Sequence, residues 1–373
     1  MNFLFTCGGT AGHINPAIGV AGRLRQLFPD AGILFVGAEG MMETELVPRE
    51  GYDIETVTIT NLRRSLSPKA IAHNLGTMKN VVASTAAAKR IIRDFQPDVA
   101  VGTGGYVCYP VLKAAHSLGV PTLVHESNAM PGLTTKLLSG LVDCVMVGFE
   151  EAKNNYKPGT NVVFTGTPVR TAFQNTDKAA AKRALGLPAD KPLVLSVWGS
   201  LGSDYMNETI VDFIRLAAES ERFCLIHSAG KRGYSALKTK LDAERRAYGK
   251  RGMDVREYIY DMPMVMTAAD LIMCRSGAST LSELSALGRP SILIPSPNVT
   301  NNHQEKNARV LERLGASEVL LEGQFDAKSL YDEVCRLLGD REKLAAMASA
   351  SKSAGHADAA GKITELILTY AGA

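Results

Sequence analysis

The sequence predicts an α/β protein built from two parallel-sheet domains, and three observations lead to this prediction. Short apolar runs that end near glycine alternate with longer helical stretches along the whole chain. Strands that are apolar throughout are buried on both faces, which is typical of parallel sheets covered by helices. The alternation restarts after a polar stretch, rich in Ala and Lys, at 175–191. We therefore expect two Rossmann-like domains, at 1–165 and 166–349, that face each other across a cleft.

The composition narrows the class of protein. The 373 residues are 46% hydrophobic, which is enough for two packed cores. Because 41 Lys and Arg nearly balance 38 Asp and Glu, the net charge of +3 argues against a nucleic-acid partner. No apolar run reaches the ~18–20 residues that span a bilayer, and the N-terminus lacks the basic start of a signal peptide. Six dispersed cysteines without a CxxC pair indicate buried thiols in a reducing cytoplasm, not disulfides or a metal site.

Glycine-rich loops follow several of the predicted strands. The strands are expected at 2–6, 33–36, 99–101, 122–125 and 142–147, and again at 193–197, 223–227, 271–274 and 291–294. The loops are CGGTAGH at 7–13, GTGGY at 102–106 and WGSLGS at 198–203. Small residues between a strand and a helix let backbone N–H groups approach an anion, and the helix dipole adds to the attraction. Any one loop could simply be a turn, but three at matching positions favour phosphate binding.

A dinucleotide-dependent oxidoreductase is a weaker interpretation of the first loop. Such enzymes use G-x-G-x-x-G with an acidic residue about 20 residues further on. The loop here is G-G-x-x-G, and Glu39 matches the acidic position only loosely.

A fourth segment, CRSGASTLSE at 274–283, also follows a predicted strand and begins a helical pattern. Its hydroxyls and backbone amides suit a diphosphate at a helix start. Glu283 could accept both hydroxyls of a ribose, or it could be a capping-box acid with Ser279 or Thr280 as the N-cap. The residues alone leave both roles open. Further on, Gln304 offers a neutral amide that suits sugar hydroxyl and acetamide groups.

Taken together, these motifs resemble the MurG family of N-acetylglucosaminyltransferases of peptidoglycan synthesis. The resemblance rests on GGTAGH, GTGGY, HESN at 125–128, TPVR at 167–170, GSLGS, CRSGASTLSE and HQEKNA, in that order. It implies the GT-B fold, with the tail at about 350–373 packing back on the first domain. It also implies transfer of N-acetylglucosamine from UDP-N-acetylglucosamine to the 4-hydroxyl of the muramoyl sugar of lipid I, an undecaprenyl-diphosphate-linked muramoyl peptide. The product would be lipid II, formed with inversion and without a metal ion or other cofactor.

The resemblance also implies a set of site residues. By position, the donor site would comprise Thr10, Ala11, Gly12, Asn128, Arg170, Ser200, Ile259, Ala278, Ser279, Thr280, Leu281, Ser282, Glu283 and Gln304. Within it, Glu283 would hold the ribose, Gln304 the sugar, and Ile259 would border the uracil. The loop at 8–13 and the residues Gly104, Gly105 and Tyr106 would face the acceptor diphosphate. The chain departs from the family pattern at Ala11, Thr167, Trp198 and Ser203.

Inverting transfer needs a base for the acceptor hydroxyl and charge stabilisation for the leaving UDP. His13 is the candidate base, because it lies at a helix start and imidazole titrates near neutral pH. The alternatives are that His13 only orients phosphate or a loop, and that His125, Glu126 or Tyr106 is the base.

The stretch 61–95 predicts a membrane-facing surface at the cytoplasmic face. It contains seven Lys and Arg against a single acid, Asp94. At helical spacing, Ile71, Leu75, Met78 and Val82 form one apolar stripe, continued by Lys89 and Arg93, while Val81, Ala88 and Ile92 form a second stripe suited to the core. A basic helix with an extra apolar stripe indicates a peripheral contact with anionic lipid. An ordinary core stripe with a basic edge is the alternative.

Two other functions remain open from the residues. The chain could be a GT-B transferase that acts on another glycolipid, or a non-catalytic UDP-sugar-binding regulator. The combination of His13, Glu283 and Gln304 favours catalysis.

Overall fold

A computed structural model describes residues 1–59, 68–174, 177–199, 202–243, 252–299, 302–355 and 358–372, with only the backbone for 68–79, 171 and 174. The chain forms two compact units. Unit 1 consists of residues 1–171 and 357–373, and unit 2 consists of residues 172–356.

Within the described residues, unit 1 contains a seven-stranded parallel sheet in the order β3-β2-β1-β4-β5-β6-β7. Its strands are β1 (Asn2–Thr6), β2 (Gly32–Ala38), β3 (Asp53–Val57), β4 (Val99–Gly102), β5 (Thr122–Glu126), β6 (Cys144–Val147) and β7 (Val162–Phe164). The helices between them are α1 (Ala11–Leu27), α2 (Glu43–Arg49), α3 (Pro68–Phe95), α4 (Cys108–Ser117) and α5 (Leu133–Leu138).

Unit 2 repeats this organisation with six described parallel strands in the order β10-β9-β8-β11-β12-β13. The strands are β8 (Leu193–Val197), β9 (Cys224–Ser228), β10 (Met253–Arg256), β11 (Leu271–Cys274), β12 (Ser291–Leu293) and β13 (Ser317–Val319). The helices are α6 (Lys178–Ala184), α7 (Asp204–Ser220), α8 (Tyr234–Ala243), α9 (Met262–Ala268), α10 (Ala278–Leu287), α11 (His303–Arg313), α12 (Ala327–Gly339) and α13 (Arg341–Ala354). The chain then returns to unit 1 with α14 (Ala359–Ala371).

The central strands are buried on both faces, as their apolar sequences predict. In β1, Phe3 and Phe5 join the apolar cluster that includes Ile14 of α1 and Ile367 of α14. Leu4, between them, joins the cluster on the opposite face. Alternate side chains of one strand therefore enter two cores, which explains why the strand is apolar at every position. The two parallel-sheet units confirm the predicted α/β, Rossmann-like fold class.

Each sheet has a switch point, where the direction of strand addition reverses. In unit 1 the chain goes from β1 to β2 and β3 on one side, then returns to β4 on the other side of β1. In unit 2 it goes from β8 to β9 and β10, then returns to β11 on the other side of β8. Ligands of open α/β sheets bind beyond the carboxyl ends of the strands at such a point. The four loops singled out in the sequence follow β1, β4, β8 and β11.

Candidate functional sites at the two switch points

The first two glycine loops pack directly on each other in unit 1. The backbone N–H of Gly8 donates to the carbonyl of Gly104 at 3.1 Å. The hydroxyl of Thr103 donates to the carbonyl of His13 at 2.6 Å. Gly104 has a φ of +120°, and a Cβ there would lie 2.5 Å from Cδ2 of the His13 ring. A glycine is therefore required for the imidazole to lie against the second loop.

The structure gives His13 a defined tautomer. Its Nδ1 lies 2.9 Å from the carbonyl oxygen of Gly8. Because a carbonyl oxygen only accepts hydrogen bonds, Nδ1 carries the proton of the neutral ring and Nε2 carries the lone pair. Nε2 is then the nitrogen that could accept a proton from a substrate.

The same loop offers backbone donors. Helix α1 begins at Ala11, with Thr10 as an N-cap whose side chain makes no capping hydrogen bond. The first N–H groups of a helix have no partner within it, so those of Ala11 and Gly12 suit an anion. Tyr106, on the second loop, is 47% exposed. The structure thus brings His13 together with Gly104, Gly105 and the start of α1.

The HESN segment has a structural role in the described residues. Buried His125 donates from Nε2 to the carbonyl of Gly166 at 2.9 Å, and burial lowers the pKa of its imidazole. Glu126 accepts four hydrogen bonds at 2.8–3.0 Å, two from Asn128 and one each from the Gly132 N–H and the Thr135 hydroxyl. Both groups are fully engaged in holding this loop, which disfavours them as the base. Asn128 is positioned by Glu126.

Arg170 belongs to unit 1, where its Nη1 lies 3.1 Å from Oε1 of Glu50. Its guanidinium is mostly covered, and the ion pair fixes it beside Glu50.

In unit 2, the start of α10 provides the corresponding donors. The N-cap is Gly277, in an extended conformation, and the first intrahelical bond runs from the Leu281 N–H to the Gly277 carbonyl at 3.0 Å. The N–H groups of Ala278, Ser279 and Thr280 therefore precede the helical hydrogen-bond ladder and suit a diphosphate. Since the helix starts before Ser279, the capping-box interpretation of Glu283 is wrong.

The side chains of this helix have different orientations. Glu283 is buried, and the hydroxyl of Ser279 donates to its Oε1 at 3.5 Å. The hydroxyl of Ser282 donates back to the carbonyl of Ala278 at 3.0 Å. The side chain of Leu281 lies in the core, so only its backbone is available to a ligand. Ile259, predicted at the uracil, likewise has a buried side chain.

Gln304 lies at the start of α11, and its Oε1 accepts the backbone N–H of Ser296 at 2.9 Å. The backbone carbonyl of Gln304 accepts a hydrogen bond from the hydroxyl of Ser276 at 2.8 Å. The amide is thus oriented with its oxygen inward, which leaves the NH₂ group as the part suited to a sugar hydroxyl.

A directional chain of hydrogen bonds lies beneath the third loop. Nε1 of the buried Trp198 donates to Oγ of Ser196 at 3.0 Å, and that hydroxyl donates to Nδ1 of His227 at 2.9 Å. His227 then donates from Nε2 to Oδ1 of Asn207 at 3.3 Å, and Asn207 donates to the Ala229 carbonyl at 3.0 Å. Every polar side-chain group in this series of hydrogen bonds has a partner, so the unusual Trp198 is accommodated without an unpaired indole N–H.

Arg275 connects this series of hydrogen bonds to the third loop. Its Nη2 donates to the hydroxyl of Ser203 at 2.7 Å and pairs with Glu322, and its guanidinium lies over the Trp198 ring, 5.8 Å from the centroid. Gly199 and Gly202 of the loop have φ values of +84° and +80°. Ser200, predicted to bind the donor, lies outside the described residues.

The buried imidazole of His227 predicts acid sensitivity. Burial lowers its pKa to about 3, whereas an unfolded histidine titrates near 6.5. Below roughly pH 6.5 the unfolded chain takes up a proton that the folded chain does not, so stability falls by up to about 1.4 kcal/mol per pH unit. Urea unfolding between neutral pH and about pH 4.5 measures this slope. His227→Gln should flatten it.

The matched control for that experiment is His116→Gln, because the side chain of His116 is exposed. Its slope should equal that of the wild type, in which His125 also contributes. Equal slopes for wild type and His227→Gln would contradict the expectation.

Sequence reasoning missed three supporting residues. They are Glu43, whose carboxylate contacts the first loop, Cys108, whose thiol contacts the second, and Arg275. In the sequence, Arg275 was noted only as part of the CRSGASTLSE motif, without a role of its own. Glu43 had a weak signal, an acid that opens a helix after the second strand. Among the described residues, no group of three or more His, Cys, Asp or Glu is placed to hold a metal ion.

Residues 3–147 match the model of the glycosyltransferase family 28 N-terminal domain, and residues 193–363 match that of the family 28 C-terminal domain. These matches, on two parallel-sheet Rossmann-like units, define the class as GT-B glycosyltransferases.

Curated relatives share the name UDP-N-acetylglucosamine–N-acetylmuramyl-(pentapeptide) pyrophosphoryl-undecaprenol N-acetylglucosamine transferase. The relative from Acetivibrio thermocellus is 43% identical over 98% of this chain and 97% of its own length. That from Listeria monocytogenes is 40% identical over 99% of each chain. A crystal structure of Acinetobacter baumannii MurG is 26% identical, with a TM-score of 0.70 over 99% of each chain. The chain belongs to the MurG family of these transferases, as its motifs predict.

Proposed function

We propose that this chain transfers N-acetylglucosamine from UDP-N-acetylglucosamine to the undecaprenyl-diphosphate-linked muramoyl pentapeptide, converting lipid I to lipid II. The observation that carries the proposal is the likeness to transferases of this name at 40–43% identity across almost the full chain. Two anion-suited switch points, one in each unit, support it.

Unit 2 is the donor-binding unit in this proposal. The N–H groups at the start of α10 bind the diphosphate of UDP, and Glu283 accepts the ribose hydroxyls. The NH₂ group of Gln304 donates to the sugar. The backbone near Ile259 borders the uracil, since the Ile259 side chain is buried.

Transfer is a single displacement in which His13 is the base. Nε2 of His13 takes the proton from the 4-hydroxyl of the muramoyl sugar. That oxygen forms a bond to C1 of N-acetylglucosamine as the bond from C1 to the UDP oxygen breaks, which inverts the anomeric centre. The leaving diphosphate keeps the electron pair, and amides and hydroxyls at the α10 start stabilise its charge. His13 of unit 1 thus acts on the acceptor, whose diphosphate is bound by the two glycine loops.

Release of UDP from UDP-N-acetylglucosamine, measured with and without a lipid I analogue, tests the proposal. Release that depends on the analogue, with the disaccharide product detected by mass spectrometry, is the expected result. Donor binding without release would instead identify a regulator. Release with a diacylglycerol acceptor but not with the analogue would identify a different glycolipid transferase.

A peripheral contact of unit 1 with the cytoplasmic membrane surface is part of the proposal. Val82 on α3 is 72% exposed, and Leu133 and Leu137 on α5 are 48% and 51% exposed. Such apolar side chains, with the basic Lys89 and Arg93 on α3, suit an anionic lipid surface. In the part of the chain that the structure describes, no helix is long and apolar enough to span a membrane.

Other members of the predicted surface are not covered by the described residues. Arg63 and Arg64 lie outside them, as do the side chains of Lys69, Ile71, Leu75, Met78 and Lys79. The second predicted stripe is on the core side, since Ala88 and Ile92 are buried.

Charge reversal tests the membrane contact. Changing Lys79, Lys89 and Arg93 to Glu should weaken binding to vesicles that contain phosphatidylglycerol by roughly 10²-fold, at about 1 kcal/mol for each basic residue lost. Sedimentation with vesicles measures the binding. The control reverses exposed charges of unit 2, namely Lys238, Lys328 and Arg341. Unchanged binding by the first variant would refute the contact.

A further inference from the structure

A buried carboxylate lies beneath the first glycine loop. Glu43, the first residue of α2, is 0% exposed. Its Oε1 accepts the backbone N–H of Ala38 at 2.8 Å, and its Oε2 accepts the N–H of Gly9 at 2.9 Å. Both oxygens of the side chain are thus occupied as hydrogen-bond acceptors.

Two glycines provide the space for this side chain. A Cβ on Gly8 would overlap Oε1 of Glu43, and a Cβ on Gly37 would lie 2.5 Å from its Cγ. The thiols of Cys7 and Cys108 are also nearby. Burial raises the pKa of Cys108 to about 12 and that of Cys7 well above its usual value, and the charge of Glu43 contributes to both increases. The carboxyl group of Glu43 is thus the buried group that accepts a hydrogen bond from the first loop.

One peptide group joins Glu43 to the candidate base. The peptide between Gly8 and Gly9 donates its N–H to Glu43 at 2.9 Å, and its carbonyl accepts Nδ1–H of His13 at 2.9 Å. A peptide group is planar, so fixing its N–H also fixes its C=O. Without that anchor, two adjacent glycines would allow the peptide plane to turn freely.

We propose that Glu43 is a positioning residue for the transfer. It holds the Gly8–Gly9 peptide so that the carbonyl keeps the proton of His13 on Nδ1, and the lone pair of Nε2 is presented to the acceptor hydroxyl. This inference rests on the proposed role of His13 as the base. A carboxylate bonded directly to the Nδ1–H of a catalytic histidine fixes the tautomer in the same sense. Here the peptide transmits that constraint.

Glu43→Gln tests the inference. The amide oxygen can accept from only one of the two backbone N–H donors, so the Gly8–Gly9 peptide plane is released in every molecule whose NH₂ group faces Gly9. We expect kcat to fall about 10- to 100-fold, the range for residues that orient a reacting group, with an unchanged KM for UDP-N-acetylglucosamine. NMR of the imidazole nitrogens should show Nδ1–H for His13 in the wild type and a mixture of tautomers in the variant. The His13 signals are assigned by their loss in His13→Gln.

Controls separate this role from a purely structural one. Glu45→Gln, two residues along α2, removes a half-exposed carboxylate that pairs with Arg49, and it should leave kcat and the spectrum unchanged. If Glu43→Gln fails to fold, Glu43→Asp retains a carboxyl group at this position and should show His13 with Nδ1–H as the main tautomer; a main tautomer protonated on Nε2 would count against the inference.

Two results would overturn the inference. One is a wild-type His13 protonated on Nε2, and the other is a folded Glu43→Gln with the wild-type tautomer, whatever its activity. Because the spectrum is recorded without substrates, a failure of the wild type to transfer sugar would count against the proposed function alone.

Discussion

Replacing His13 with alanine is expected to lower kcat for sugar transfer by about 10²- to 10⁴-fold, the contribution typical of a general base. The reason is geometric, because Nδ1 is bound to the Gly8 carbonyl at 2.9 Å and only Nε2 can accept a proton. The KM for UDP-N-acetylglucosamine should change little, since the contacts proposed for the UDP diphosphate, ribose and sugar are in unit 2. Initial rates of acceptor-dependent UDP release measure both quantities.

The control for this variant is His116→Ala, which removes an exposed imidazole from the end of α4 in the same unit. It should transfer sugar at the wild-type rate. Near-normal turnover by His13→Ala would remove His13 from the role of base. The exposed Tyr106 would then be the next candidate, since His125 and Glu126 are engaged in structural hydrogen bonds.

Gly105→Ala is expected to have a second large effect, on both stability and transfer. Gly105 has a φ of +94°, and a Cβ there would overlap the backbone carbonyl oxygen of Gly8. Relieving the overlap must separate the two loops that hold His13. We expect the free energy of unfolding to fall by roughly 3 kcal/mol or more, combining a left-handed backbone with overpacking. Chemical denaturation and the transfer assay measure the two effects.

Gly9→Ala is the matched control for stability. Gly9 also has a positive φ, +85°, but a Cβ there meets nothing within 4 Å in the described structure. Its cost should be only the backbone term, about 1–2 kcal/mol. If both variants were equally destabilised, contact between the loops would not be the cause.

The sequence predicts the central strands of both sheets but not the edge strands. β3, β7, β10 and β13 were missed, and they are the outermost strands of the two described sheets. An edge strand has a neighbour on one side only and is partly exposed, as the mixed burial of β3 (Asp53–Val57) shows. The sequences of β3, β10 and β13 therefore lack the continuous apolar run that marks a strand buried on both faces, and β7 is apolar but only three residues long.

The glycine loops of the site are predictable for a related reason. Parallel strands all end at one edge of the sheet, so glycine just after a buried strand indicates a ligand-binding edge. The role of Glu43 is not predictable in this way, because it depends on a contact with Gly9 across 34 residues of chain. One interpretation of the sequence began α10 after Ser279 or Thr280, because Ser and Thr are common N-caps. The N-cap is instead Gly277, which has no side chain. Neither the contact between Glu43 and Gly9 nor the N-cap at Gly277 has a recognisable local sequence pattern.

Unit 1 is built from two separate segments of the chain, and this has a consequence for biosynthesis. Ile363 and Ile367 of α14 belong to the same apolar cluster as Phe3 and Phe5, yet the ribosome makes them only after all of unit 2. Unit 2 is continuous in sequence, so its core needs no segment from outside residues 172–356. Unit 1, although its first strands are translated earliest, must wait with part of its apolar surface open until α14 emerges. The strands that are synthesised first are therefore packed into a core that is closed only by the last helix of the chain.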